Sequence, residues 1–146
     1  MTAYRQRQYL QYAAPQLFDL VADVERYPEF MPWVVGARVR HRRDPAIIVD
    51  MTIGLGPLRK RFSTVAVLRR PHRIDIHSDD ALFARYEQCW TFEQTAAGGT
   101  NVECHVDVEL RSRVLQTLMG ASFDDRAVAT MAAYTRRAHR LYGHQA

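Results

Sequence analysis

The sequence predicts an α+β fold in which a curved, mostly antiparallel sheet wraps around a long C-terminal helix. Three observations carry this. Residues 86–110 alternate apolar and polar side chains over a hairpin, the mark of a sheet with one buried and one wet face. From Val114 the apolar period becomes helical and runs on to Leu141. Between an N-terminal strand–helix pair and this end lie several more strand-like runs, separated by turn signals. A sheet with one apolar face must be covered, and the last helix is the available cover. A strongly curved sheet around one helix can leave a cavity between them.

The elements follow in order. Tyr4–Gln11 mixes aromatic and polar residues and predicts a strand. Pro15 suits the first turn of a helix, where its missing N–H costs nothing, and Leu17, Phe18, Val21 and Ala22 follow at helical spacing. That helix should stop before Tyr27-Pro28, because the residue preceding a proline resists αR geometry. The segment after it should be a loop, although it concentrates Tyr27, Pro28, Phe30, Met31, Pro32 and Trp33. Val35, Ala37 and Val39 alternate with Gly36, Arg38 and Arg40; after the turn signal RRDP, Ile47, Val49, Met51 and Ile53 alternate with Ile48, Asp50 and Thr52. GLGPL (Gly54 to Leu58) reads as a loop, Phe62 to Leu68 as an apolar strand and RRPH as a turn, after which Ile74 and Ile76 alternate with Arg73, Asp75 and His77.

The last hairpin is the clearest. Tyr86, Gln88, Trp90 and Phe92 share one face, and after TAAGGT so do Val102, Cys104, Val106, Val108 and Leu110. In the C-terminal helix Val114, Leu115, Leu118 and Met119 open the apolar stripe, and Gly120 predicts a bend or break. Val128, Met131, Tyr134, Ala138 and Leu141 continue the stripe, with Arg136, Arg137 and Arg140 largely opposite. Asp124 and Asp125 favour a helix N-terminus, and Gly143 is a reasonable stop.

A chain of 146 residues predicts one domain over 1–146, large enough to need no disulfide or metal staple. No run approaches the ~18 apolar residues of a membrane span. The polar N-terminal stretch has no apolar signal core, which predicts a cytoplasmic protein, peripheral membrane contact aside. The net charge of +4 is compatible with anionic lipid, RNA or a phosphate-bearing ligand without deciding among them, and Lys60 is the only lysine. Cys89 and Cys104 form no C-x-x-C pair and sit on opposite faces of the hairpin, so both read as free thiols. The six histidines show no metal-ligand spacing, no metal site is predicted, and no nucleophile has a recognisable base.

The helix followed by DVERYPEFMPWV resembles the START-like coenzyme Q-binding family, which shares its helix-grip fold with polyketide cyclases and other lipid-binding modules. YEQCWTF with TNVECHVDVEL resembles that family's final hairpin, and ATMAAYTRRAHRLYG its last helix. The resemblance spans nearly the whole chain, and YP-x-F-x-PW is its most specific motif. The chain departs from the pattern at RKRFSTV, at DALFARYEQCW and at VELRSR. The resemblance implies a helix-grip fold with an internal apolar cavity. It implies a non-catalytic protein that takes ubiquinone as ligand, with no further cofactor, as a quinone chaperone or carrier. The same family includes proteins described as ribosome-association toxins, so a ribosomal partner is the alternative reading, and a cyclase or aromatase is another.

An apolar ligand needs a cavity lined by apolar side chains with few polar anchors. The candidate lining is Phe30, Trp33, Met51, Ile53, Phe62, Ile76, Tyr86, Trp90, Val106, Met119, Phe123 and Met131, with Tyr86 and Trp90 able to donate hydrogen bonds to a quinone carbonyl. Phe30 and Trp33 are expected to turn inward, held by the stiff prolines. Leu55 and Leu58 beside Arg59, Lys60 and Arg61 form a candidate loop for anionic membrane contact. Arg38, Arg40 and Arg42 alternate, so one outer face should carry them together, with Arg43, Arg69 and Arg70 nearby; this row is the candidate contact for RNA or lipid phosphate.

Overall fold

The computed structural model describes residues 3–31, 33–55, 57–120 and 123–143, without the side chains of 55, 118–120 and 123–127. Seven strands form one sheet: β1 (Ala3–Leu10), β2 (Val34–Arg43), β3 (Ala46–Leu55), β4 (Leu58–Arg69), β5 (Arg73–His77), β6 (Phe83–Gln94) and β7 (Thr100–Leu110). Every neighbouring pair is antiparallel, in the order β1-β7-β6-β5-β4-β3-β2. Helix α1 (Ala14–Ala22) and a 3₁₀ helix (Val24–Glu29) connect β1 to β2, and α2 (Arg113–Gly120) and α3 (Phe123–Tyr142) close the chain. Gly120, where a bend or break is predicted, is the last residue of α2, and the two residues after it lie outside the described ones.

The sheet buries one face, as its alternation requires. Ile47, Val49, Phe62, Ala66, Ile74, Trp90, Phe92, Val102 and Cys104 are buried, while Cys89 on the other face is half-buried. Tyr134 of α3 is fully buried with its ring 5.2 Å from that of Trp90, so α3 covers the apolar face as expected. The Tyr134 hydroxyl donates to Leu17 O and that of Tyr142 to Gln16 O, tying α3 to α1. Phe18 of α1 meets Phe92 edge-on at 5.7 Å. In the β6–β7 turn Gly98 takes φ 94°, and a Cβ on Gly99 would collide with the Tyr9 ring and Leu10 O, so both glycines are required.

Four expectations change. The segment after α1 is a loop only in its second half: Val24–Glu29 winds as a 3₁₀ helix with Pro28 inside it, a conformation that a proline's φ permits, and Phe30, Met31 and Trp33 follow in turn or irregular backbone. The strand β2 carries two register shifts, one at Val35 and one at Arg40. The first turns Val34 inward and leaves Val35 44% exposed. The second puts Arg42 opposite buried Ile47, whereas Arg38 lies opposite Asp50, so the arginine row is split between two faces. The α3 stripe is also rotated from the predicted one. Val128 and Leu141 are exposed, and Ala133 and Arg137 are buried with Met131, Tyr134 and Ala138.

Three of the candidate basic residues are paired with carboxylates. Arg40 meets Asp50 at 3.2 Å, and Arg61 reaches the same carboxylate at 4.0 Å. Arg70 forms a two-pronged pair with Asp19 of α1, at 2.8 and 3.0 Å, and so braces a helix rather than joining a phosphate patch.

Candidate ligand cavity

Between the concave sheet face, the 3₁₀ helix and the C-terminal helices lies a cavity of about 190 Å³. Its lining is a consequence of strand alternation. On β3 and β4 the inward positions supply Val49, Met51 and Ile53, then Lys60, Phe62, Thr64 and Ala66. On β5 to β7 they supply Ile76, Tyr86, Gln88, Trp90, Val106, Val108 and Leu110. Val24, Tyr27, Met31, Trp33 and Val34 close one end; Leu82, Phe83, Leu115 and Thr130 complete the wall. Phe62, Phe83 and Tyr86 pack as an aromatic cluster with ring centres 4.8 to 5.9 Å apart.

Of the residues singled out from the sequence, Trp33, Met51, Ile53, Phe62, Ile76, Tyr86, Trp90 and Val106 come together around this space. Met131 does not line it; it borders an adjoining pocket of about 30 Å³ with Tyr4, Gln6 and Cys104. Phe30 is not part of the wall either. Its ring lies under the Arg137 guanidinium, 5.1 Å from centre to Cζ, on the outer side of the segment. The 3₁₀ winding explains the exchange, because it turns Met31 inward to 5% exposure in place of Phe30. Met119 and Phe123 fall outside the described side chains, as does Leu55.

The basic loop expected around GLGPL is much shorter than the motif suggests. Leu58, Arg59, Lys60 and Arg61 already belong to β4 and pair with Leu55, Gly54, Ile53 and Thr52 of β3. Strand alternation then separates them. Leu58 is 38% exposed at the strand end and Arg61 faces Asp50, but Lys60 lines the cavity. Among the described residues it is the only charged one in that lining.

The polar groups at the inner wall are few and connected. Tyr86 Oη donates to Gln88 Oε1 at 3.2 Å, and Gln88 Nε2 reaches Cys104 Sγ at 3.4 Å. Burial, reinforced by Cys104, pushes the Tyr86 phenol well above its ordinary value. Burial pushes the Cys104 thiol up to about 12, against the opposing effect of the Gln88 hydrogen bond. Both groups are therefore neutral donors at neutral pH. Gln6 Oε1, at the adjoining pocket, is buried and accepts no hydrogen bond among the described residues, and that pocket has room for about one water. Tyr27 donates to Val21 O, and burial raises its phenol too. Among the described residues no group of three or more His, Cys, Asp and Glu converges on a metal position, and no helix is long and apolar enough to cross a membrane.

Comparison with known proteins agrees with this geometry. The family described as polyketide cyclase / dehydrase and lipid transport is matched over residues 10–134. The chain is 29% identical over 134 residues to ribosome association toxin RatA of Pseudomonas aeruginosa, covering 92% of this chain and 93% of that one. It is 25% identical over 146 residues to the mitochondrial coenzyme Q-binding protein COQ10 homolog B of Xenopus laevis, covering 97% of this chain and 60% of that one. Among solved structures, the Zhui aromatase/cyclase of Streptomyces sp. R1128 superposes with a TM-score of 0.82 over 94% of this chain and 93% of that chain. At 13% identity that likeness shows the fold alone. An apolar cavity between a seven-stranded antiparallel sheet and a C-terminal helix, with a family match over most of its length, makes this chain a START-like member of the polyketide cyclase/dehydrase and lipid transport family.

Proposed function

We propose that the protein binds ubiquinone or a related isoprenoid lipid in its cavity and carries it, without catalysing a reaction on it, in support of respiration or quinone biosynthesis. The observation that carries this reading is the lining itself: aliphatic, methionine and aromatic side chains, with Tyr86 and Gln88 as neutral polar anchors. A quinone ring suits flat aromatic neighbours and offers carbonyl oxygens to a neutral donor such as the Tyr86 phenol. That phenol and the Cys104 thiol stay protonated at neutral pH, so neither supplies a nucleophile. The likeness to a coenzyme Q-binding protein supports the ligand class. Exchange with a bilayer would take place at the β3–β4 end, where exposed Leu58 sits beside Arg59 and Arg61, with the carrier itself cytoplasmic. Solvent extraction of the purified protein followed by mass spectrometry tests the proposal. An isoprenoid quinone in the extract supports it; none, together with no uptake of added quinone, removes it.

A second reading is contact with the large ribosomal subunit, favoured by the likeness to ribosome association toxin RatA over nearly the full length of both chains. Split faces and carboxylate partners weaken the arginine row as its docking surface. Sucrose-gradient profiles after overexpression decide it, since unchanged subunit association eliminates this reading.

A further inference from the structure

The charge in the cavity wall is unusual in its isolation. Of the 20 lysine and arginine residues in the chain, Lys60 is the only lysine, and among the described residues lining the cavity it is the only charged one. The register explains why it faces in while its neighbours do not. Lys60 lies opposite Ile53 and two positions before Phe62, both of which line the cavity, whereas Arg61 reaches the outer-face carboxylate of Asp50. Among the described residues its ammonium has neither an ion-pair partner nor a hydrogen-bond acceptor, and among the described residues no aspartate or glutamate lines the cavity. An apolar wall is a poor place for an uncompensated cation, which loses hydration there and gains nothing in return. Lysine suits the place better than arginine, because a flexible stem lets a compact charge reach either solvent or a ligand.

We infer that the cavity takes amphipathic carboxylic acids: an isoprenoid, fatty or fused-ring body in the apolar wall, with its carboxylate held by Lys60 at the β3–β4 end. This rests on the proposed binding of an apolar ligand and adds a charged head group to it. A single ammonium on a half-buried side chain matches the single negative charge of a carboxylate. A phosphate monoester carries more charge and more acceptor oxygens than this one group can meet, and the neighbouring Arg61 is turned to the other face. Gln88, whose amide has a second N–H beyond the one directed at Cys104, can donate to a second oxygen on the body of the ligand. Neutral quinones can still bind, using Lys60 only as a hydrogen-bond donor, but an acid of the same length gains the charge as well.

Fluorescence titration with cis-parinaric acid and with its methyl ester, which differ only in the charged group, tests the inference on the whole protein. The native chain should bind the acid roughly tenfold more tightly than the ester. Lys60→Met should weaken the acid roughly tenfold and the ester much less, so that the preference disappears with the thermal midpoint unchanged, and Lys60→Arg should retain most of the preference. Raised salt should weaken the acid and not the ester. Equal affinities in the native chain, or an equal loss of both probes in Lys60→Met, would overturn the assignment of Lys60. If neither probe binds, the apolar-cavity reading itself fails, and this inference with it.

Discussion

Arg137 of α3 donates to Glu29 Oε1 at 2.9 Å while its guanidinium lies over the Phe30 ring, 5.1 Å from the ring centre. This contact clamps the C-terminal helix onto the segment that closes the cavity. Two further bonds hold that segment: Tyr27 Oη donates to Val21 O, and Val39 N donates to Glu25 Oε2. The result is an end wall in which Tyr27, Met31 and Trp33 line the cavity and Phe30 acts as the outer pad for a cation.

Replacing Arg137 by Met should therefore cost about 1–2 kcal/mol, from one charged hydrogen bond and one cation–ring contact. The thermal midpoint should fall by roughly 3–8 °C. Arg140→Met, on the exposed side of the same helix, should change stability by less than about 0.5 kcal/mol. Equal effects of the two substitutions in denaturant unfolding would show that the clamp contributes nothing.

Trp90 is the centre of the core. It is 2% exposed, stacks on Phe92 with ring planes 8° apart, and meets Tyr134 of the covering helix. Trp90→Ala should cost about 3–5 kcal/mol through lost burial and an unfilled cavity. Trp90→Phe keeps an aromatic face toward Tyr134 and should cost roughly 1–2 kcal/mol. Urea midpoints measure both.

Alkaline pH should destabilise the protein. Burial holds the Cys104 thiol near 12 and lifts the phenols of Tyr27, Tyr86 and Tyr134 above their ordinary value of 10.0. In the unfolded chain such groups ionise at about 8.5 and 10. The fold thus retains these protons where the unfolded chain has lost them. Their contribution is complete below pH ~8.5 and is lost progressively as the pH climbs toward the folded values, by up to about 1.4 kcal/mol per pH unit for each group. The thermal midpoint should be level from pH 7 to 8 and fall steadily from about 9 to 11. Absorbance at 295 nm should show some of the seven tyrosines titrating only as the chain unfolds. Ionisation of all seven while the circular dichroism stays native would contradict the burial of these phenols.

Filling the cavity should remove binding without harming the fold. Val106 faces Gln88 on one side and Tyr4 on the other, with its side chain in the cavity wall. Val106→Phe takes up part of the roughly 190 Å³ of free space, so the strain of an overpacked core should be small, while ligand affinity should drop by at least about tenfold. The two are read separately, by thermal unfolding and by ligand titration.

Much of this wall is legible in the sequence because it lies on regular strands. Trp90, Val106 and Met51 follow from period-two alternation alone, and the antiparallel sheet under a C-terminal helix follows from the change of period near Val114. What escapes is whatever breaks that regularity. The shifts at Val35 and Arg40 each add one residue to β2, which reverses the facing of everything beyond them, and neither Val-Val-Gly nor Val-Arg-His announces a bulge. Phe30 and Met31 exchange roles because a 3₁₀ helix with an internal proline ends just before them and sets the direction in which the loop leaves. Lys60 reads as a loop cation because GLGPL suggests a long turn; the strands in fact run to Leu55 and from Leu58, which makes its facing a matter of register. Arg137, which the helical period places on the solvated face, is buried by Glu29 and Phe30, more than a hundred positions earlier and beyond the reach of any local pattern.

The most direct measurement uses the protein's own fluorescence. Its two tryptophans, Trp33 and Trp90, both line the cavity. Titration with a short-chain ubiquinone should therefore quench emission saturably in the native chain, and Val106→Phe should shift the curve to higher concentration. Emission that does not change, or that falls linearly and identically in both proteins, would contradict a quinone-binding cavity.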